Sequence, residues 1–163
     1  EERAPSETRA RQGLQARLKQ LNLPLEWTTE TNVPHFEMPE RYAHADVLIL
    51  PSTSDLASIA PLEAMCMGVV PVVSPNNGTN PYIENFVTGL ILEELSPEAL
   101  ATALTYLADD HVRLGNIGRS ASKFASARLT QTQFYDSLQA VFEHTGDDAD
   151  GGEISAESVK IKD

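Results

Sequence analysis

The sequence predicts an α/β fold, a short parallel sheet with helices on both faces, followed by a flexible acidic C-terminal tail. Three observations lead there. Short apolar runs of the kind that form buried strands alternate with stretches of helical hydrophobic period, an order that implies right-handed crossovers and parallel pairing. The 163 residues, 41% hydrophobic and 22% charged, fit one globular domain and leave little room for a second core. Charge is concentrated at one end, where 143–163 hold seven acidic residues and two lysines. The chain therefore divides into a sheet-and-helix domain over 1–145 and an acidic tail over 146–163. The tail can bury too little apolar area to offset chain ordering, so it is expected to be disordered or docked on a partner.

The elements follow in order. Residues 6–21 place Ala10, Leu14, Leu18 and Leu21 on one stripe with basic residues on the other faces, a helix with Ser6 as its N-cap. Residues 39–45 read as a short helix. The run 46–50, closed by Pro51, reads as a strand buried on both faces. Residues 61–67 are helix-forming, and Gly68 can close that helix in a left-handed conformation. A second buried run covers 69–73, although Pro71 lacks an N–H and argues against a central strand. With two prolines, a glycine and three asparagines, 74–81 is a loop. Residues 88–92 form a third strand. Ser96, Pro97 and Glu98 then open a helix by cap, first-turn proline and dipole charge, with Leu100, Leu104 and Leu107 on its apolar face. Val112, Ile117, Ala121 and Phe124 mark the next helix, and Phe134, Leu138, Val141 and Phe142 the last.

Composition excludes several functions. Twelve basic against 24 acidic residues, a net charge of -12, disfavour nucleic acid and anionic membrane surfaces as partners. No apolar run approaches the roughly 20 residues of a transmembrane helix. The single cysteine, Cys66, allows neither an intrachain disulfide nor a thiolate zinc cluster, which favours a reducing intracellular compartment, cytoplasm or organelle. Between Met65 and Met67 it reads as core. His35, His44, His111 and His144 are scattered with no ligand spacing, so no metal site is expected. Ser52, Ser54 and Ser58 sit in no Gly-x-Ser-x-Gly elbow. Trp27 and Tyr42 read as packing residues. The chain opens at Glu1 without a basic-then-apolar leader, the expectation for a processed or excised piece.

In parallel sheets ligands sit beyond the carboxyl ends of the strands, here 51–58 and 74–80. The first loop feeds a helix N-terminus, whose unpaired amides and positive dipole end suit a phosphate or sugar oxygen. In the plainer reading Asp55 or Ser58 merely caps that helix. Glu63 follows Asp55 by eight residues. On one continuous helix that spacing advances about 12 Å and returns about 80° off the starting face, so helical periodicity does not pair the two carboxylates.

These segments resemble a family. Tyr42-Ala-His-Ala-Asp-Val-Leu-Ile-Leu-Pro-Ser52, Asp55-Leu-Ala-Ser-Ile-Ala-Pro-Leu-Glu-Ala-Met-Cys-Met-Gly-Val-Val-Pro-Val-Val-Ser74, Asn77-Gly-Thr, Tyr82-Ile-Glu and Thr88-Gly-Leu occur in the order and at the intervals of the group 1 retaining glycosyltransferases. The resemblance covers roughly 15–145 and is densest over 42–92. It implies a GT-B architecture of two Rossmann-like domains, of which this chain is part of the C-terminal, nucleotide-sugar-binding one. The implied substrate is a nucleoside-diphosphate sugar, with no other cofactor. Asp55 and Glu63 then match the family's Glu-x7-Glu motif. Asp55 would face hydroxyls of the donor sugar as the catalytic-site carboxylate, and Glu63 would accept hydrogen bonds from the ribose. The backbone of Ala57, Ser58, Ile59 and Ala60 would hold sugar hydroxyls and the diphosphate, and Asn77, Gly78 and Thr79 would line the same cleft. The acceptor would belong to a missing N-terminal domain or a partner chain.

Asp55 is one methylene shorter than the family's usual Glu, and the family's diphosphate-neutralising Arg and Lys precede the matched segments. No lysine or arginine lies between Arg41 and Arg113, while nine acidic residues do. Two readings remain open: a donor-binding part of a transferase that moves the sugar with retention, and a transferase-derived domain without chemistry that serves as a structural or interaction subunit.

Overall fold

The computed structural model describes residues 32–133 continuously, together with 12, 13, 16, 17, 20, 28, 30, 135, 136 and 139. The chain falls into two compact units, Glu1–His35 and Phe36–Asp163. In the first, residues 12, 13, 16, 17 and 20 are helical, within the helix predicted over 6–21, while Ser6 and the stripe residues Ala10, Leu14, Leu18 and Leu21 lie outside the described residues.

The second unit is built on three parallel strands hydrogen-bonded in the order β1 (Val47–Leu50), β2 (Val70–Val73), β3 (Leu90–Ile91). Helix α1 (Met38–Ala43) precedes β1, α2 (Ala60–Cys66) joins β1 to β2, and α3 (Pro97–Ala108) and α4 (His111–Arg128) follow β3. Because side chains alternate along a strand, Val70 and Val72 enter one cluster with Leu90, Leu92, Ala103, Leu107 and Ile117. Val73 enters the other with Met65, Ile83, Ala121 and Ala125. Helices thus cover both faces.

Burial on both faces holds for β2, whose four residues are all buried. It fails for β1, which is partly buried with Ile49 39% exposed, because β1 is an edge of the described sheet and has less cover. Pro71 sits in the central strand after all. Val70 and Ser74 donate to Asp46 and Leu50 on the β1 side, so by alternation the Pro71 nitrogen faces β3, which begins only opposite Val72. No ladder bond is lost there. Gly89 makes room for the ring, since a Cβ at that position would lie 2.7 Å from Pro71 Cγ. The outer edge of β3, shorter than expected, is closed by Asn85, whose Oδ1 accepts from the Ile91 N–H at 3.0 Å.

Local chemistry sets the helix ends. Gly68, at φ 76°, terminates α2: its N–H donates to Met65 O and the Val69 N–H to Ala64 O, the two bonds of a Schellman motif. Ser96 Oγ accepts from the Ala99 N–H at 3.1 Å and caps α3. Asp110 caps α4 through the Arg113 N–H at 3.0 Å. Neither Asp55 nor Ser58 caps α2, a correction to the plainer reading above. The helix starts later, with Ile59 at the N-cap position without a side-chain bond and a proline in the first turn. Cys66 is exposed rather than core, because α2 turns Ala64 and Met65 inward instead. Val112, placed on the apolar face of α4 by the sequence, is also exposed.

Helix α4 supplies Ile117 to one cluster and Ala121 and Ala125 to the other. It passes the end of the sheet where β2 begins, and there Gly118 touches the turn: a Cβ at 118 would lie 2.3 Å from Gly68 O. The carboxyl ends of the strands lie at the opposite end. Residues 131–133, 135, 136 and 139 are helical, whereas Phe134, Leu138, Val141, Phe142 and the tail lie outside the described residues. Among the described residues, no helix is long and apolar enough to cross a membrane.

Candidate functional site

Beyond the carboxyl ends of β1 and β2 the two predicted loops are bound to each other. The Asp55 N–H donates to Asn76 O at 3.2 Å, and the Gly78 N–H donates to Asp55 O at 2.8 Å, so Asp55 and Asn77 form a parallel bridge that extends the β1–β2 pairing past the strands. Gly78 packs directly on the first loop. Only a residue without a Cβ allows this approach.

The second loop is stiffened from within. Asn77 Oδ1 accepts from both the N–H and the hydroxyl of Thr79, at 2.9 and 2.6 Å. Asn80 Nδ2 donates to the carbonyls of Ser74 and Pro75, at 3.2 and 2.8 Å. Asn77 and Thr79 are buried as a result. Three buried polar atoms of this loop, Ser74 Oγ, Asn77 Nδ2 and Asn80 Oδ1, have no hydrogen-bond partner among the described residues. Such a group costs about 1–3 kcal/mol when its bond is left unmade.

On the first loop, half-buried Asp55 and Ser58 flank exposed Leu56 and Ala57, and Ile59 leads exposed into α2. Among the described residues, none of the backbone bonds outside the helices uses the N–H of Ala57, Ser58, Ile59 or Ala60. Pro61 has no N–H to add, so the donor set is these four amides at the positive end of α2.

Glu63 lies in the first turn of α2, half-buried. Its Oε2 accepts from the Tyr42 hydroxyl at 2.9 Å. Tyr42 is 5% exposed and packs with Ala64 and Val69. Burial, reinforced by the hydrogen bond to Glu63 and the charge of that carboxylate, pushes the Tyr42 phenol up to about 12. Tyr42 packs in the core as its sequence implies, but its bond to Glu63 is not legible there. The bond spans 21 positions and two helices, and no local signal announces it.

The structure thus brings Asp55, Asn77 and Gly78 together through backbone bonds and places Ala57 to Ala60 on the same loop. Among the described residues, no group of three or more His, Cys, Asp or Glu could hold a metal ion. No basic residue lies on either loop or on α2. Arg41, just before Tyr42, is engaged by Glu37 at 3.4 Å.

A loop-fed helix and a second loop beyond adjacent parallel strands are what the resemblance implies. The profile of the family described as Glycosyl transferases group 1 matches residues 8–124, more than half of the chain. The chain belongs to the group 1 glycosyltransferases. It is 25% identical over 112 residues to the alpha-D-kanosaminyltransferase of Streptomyces kanamyceticus, covering 69% of this chain and 29% of that enzyme. The C-terminal domain of a group 1 glycosyltransferase family protein, LpcC from Francisella tularensis, superposes with a TM-score of 0.66 at 18% identity, over 78% of this chain and 66% of that one. The Anabaena protein HepE, solved with UDP and glucose, superposes with a TM-score of 0.71 at 20% identity, over 83% of this chain and 38% of that one. The glycosyltransferase domain therefore has the α/β fold of the C-terminal part of a GT-B protein, as the resemblance implied, and spans less than a third of the curated relative.

Proposed function

We propose that this glycosyltransferase domain binds a nucleoside-diphosphate sugar and, together with an acceptor-binding domain or partner chain, transfers the sugar with retention at the anomeric carbon. One observation carries the reading: the bridge between Asp55 and Asn77 joins the two loops at the sheet end where parallel folds receive ligands. In this reading the Asp55 carboxylate accepts charge-assisted hydrogen bonds from hydroxyls of the donor sugar, and Glu63 accepts them from the ribose. The amides of Ala57, Ser58, Ile59 and Ala60 face the diphosphate and stabilise charge on it as it departs. HepE, whose fold this domain shares, was solved with UDP and glucose, which supports a nucleotide sugar as ligand. Leu56 is 94% and Ile59 66% exposed, and in this reading the acceptor-binding domain or partner chain covers these apolar side chains.

The second reading, a scaffold without chemistry, draws on the absence of any lysine or arginine over 42–112. Calorimetric titration of the chain, alone and with any copurifying partner, against UDP-, GDP- and ADP-sugars separates the two. Binding that disappears in Glu63→Ala is the expected result. Absence of binding in every complex leaves the scaffold.

A further inference from the structure

The Tyr42–Glu63 bond has features that a stray surface contact lacks. Tyr42 is buried in one cluster with Ala64 and Val69, against which Met38 and Leu48 pack, so its hydroxyl is aimed by packing. Glu63 stands in the first turn of α2, after the loop that carries Asp55, and is itself only half-buried. A glutamate has three side-chain torsions, and holding it in one orientation costs entropy at the moment of binding unless another group has already oriented it. A phenol held rigidly at 2.9 Å from Oε2 does this while keeping its own proton, because its pKa lies far above neutrality.

We infer that Tyr42 is a positioning residue for Glu63, its hydroxyl fixing the carboxylate in the orientation that receives the ribose hydroxyls of the nucleotide. This inference rests on the ribose role of Glu63 proposed above and adds a residue outside both loops. Tyr42 does not touch the ligand. It acts by presenting a preorganised acceptor, so its contribution exists only for a nucleotide that has ribose hydroxyls to offer.

The test is a thermodynamic cycle on the full chain, with its copurifying partner if there is one. Affinities for UDP, GDP and ADP and for their 2′,3′-dideoxy counterparts are measured in the unaltered chain, Tyr42→Phe, Glu63→Ala and the double variant. The readout is the ratio of ribonucleotide to dideoxynucleotide affinity, in which any fraction of unfolded protein cancels. The expected result is a ratio lowered about tenfold by Tyr42→Phe, near one in Glu63→Ala, and unchanged when Tyr42→Phe is added to Glu63→Ala. If Tyr42→Phe weakens both nucleotides alike, or neither, Tyr42 is only a packing residue and the inference is overturned while the proposed function stands. If the unaltered chain binds none of the nucleotides in any complex, the proposed function falls and the inference with it.

Discussion

A methyl group on Gly78 would sit 1.6 Å from the carbonyl oxygen of Leu56, so the loop after β2 lies against the backbone of the loop after β1 with no space for any other residue type. Gly78 also donates its N–H to Asp55 O. The position of Asp55 is therefore set by its neighbour across the sheet end as much as by its own loop.

Gly78→Ala is accordingly expected to separate the two loops rather than be absorbed by a rotamer change, since the clash is with backbone. Overpacking of this kind costs about 1–3 kcal/mol, which a denaturant midpoint will show. Loss of sugar-nucleotide binding should accompany it.

Asp55→Ala and Glu63→Ala should differ in what they lose. With Asp55 on the sugar and Glu63 on the ribose, Asp55→Ala weakens the nucleotide sugar by about 1.5–3 kcal/mol and leaves the free nucleoside diphosphate nearly unaffected. Glu63→Ala weakens both. Calorimetry with each ligand pair checks this, and equal losses for both variants would remove the separate roles.

Tyr42 should titrate late. The phenolate absorbance that disappears in Tyr42→Phe is expected to have its midpoint near 12 rather than 10. The folded phenol holds its proton where the unfolded one releases it, so the associated stability is complete below pH 10. It declines as pH rises from 10 through 12. A midpoint at the ordinary value would show that the phenol is neither buried nor bonded to Glu63.

Asp110 provides the acid counterpart. The Arg113 N–H holds its carboxyl below the usual value, against a smaller opposing effect of desolvation, and the Arg113 charge adds to the lowering. A depressed carboxyl stabilises the fold above its unfolded pKa and loses that contribution as pH falls through the folded one. Thermal melts should therefore show Asp110→Asn less sensitive than the unaltered chain to acidification below about pH 4.

The alternation of apolar runs and helical stretches, the Ser96 cap and the Gly68 terminator were legible because each depends on residues a few positions apart. The same holds for the two loops after β1 and β2, since strand ends are visible as turn residues after apolar runs. Local signals mislead where a rule presumes surroundings. Pro71 argued against a central strand, yet its missing N–H falls where β3 has not begun. Cys66 looked like core among methionines, yet it lies on the outer side of a seven-residue helix.

The sequence alone determined the fold class and the family, because hydrophobic period and ordered motifs are properties of the linear chain. Only the tertiary structure decided that Asp55 bridges Asn77, that Gly78 seats on Leu56, and that Tyr42 holds Glu63. Those contacts join residues about 20 positions apart. They follow from strand register and helix packing, which no short window of sequence contains.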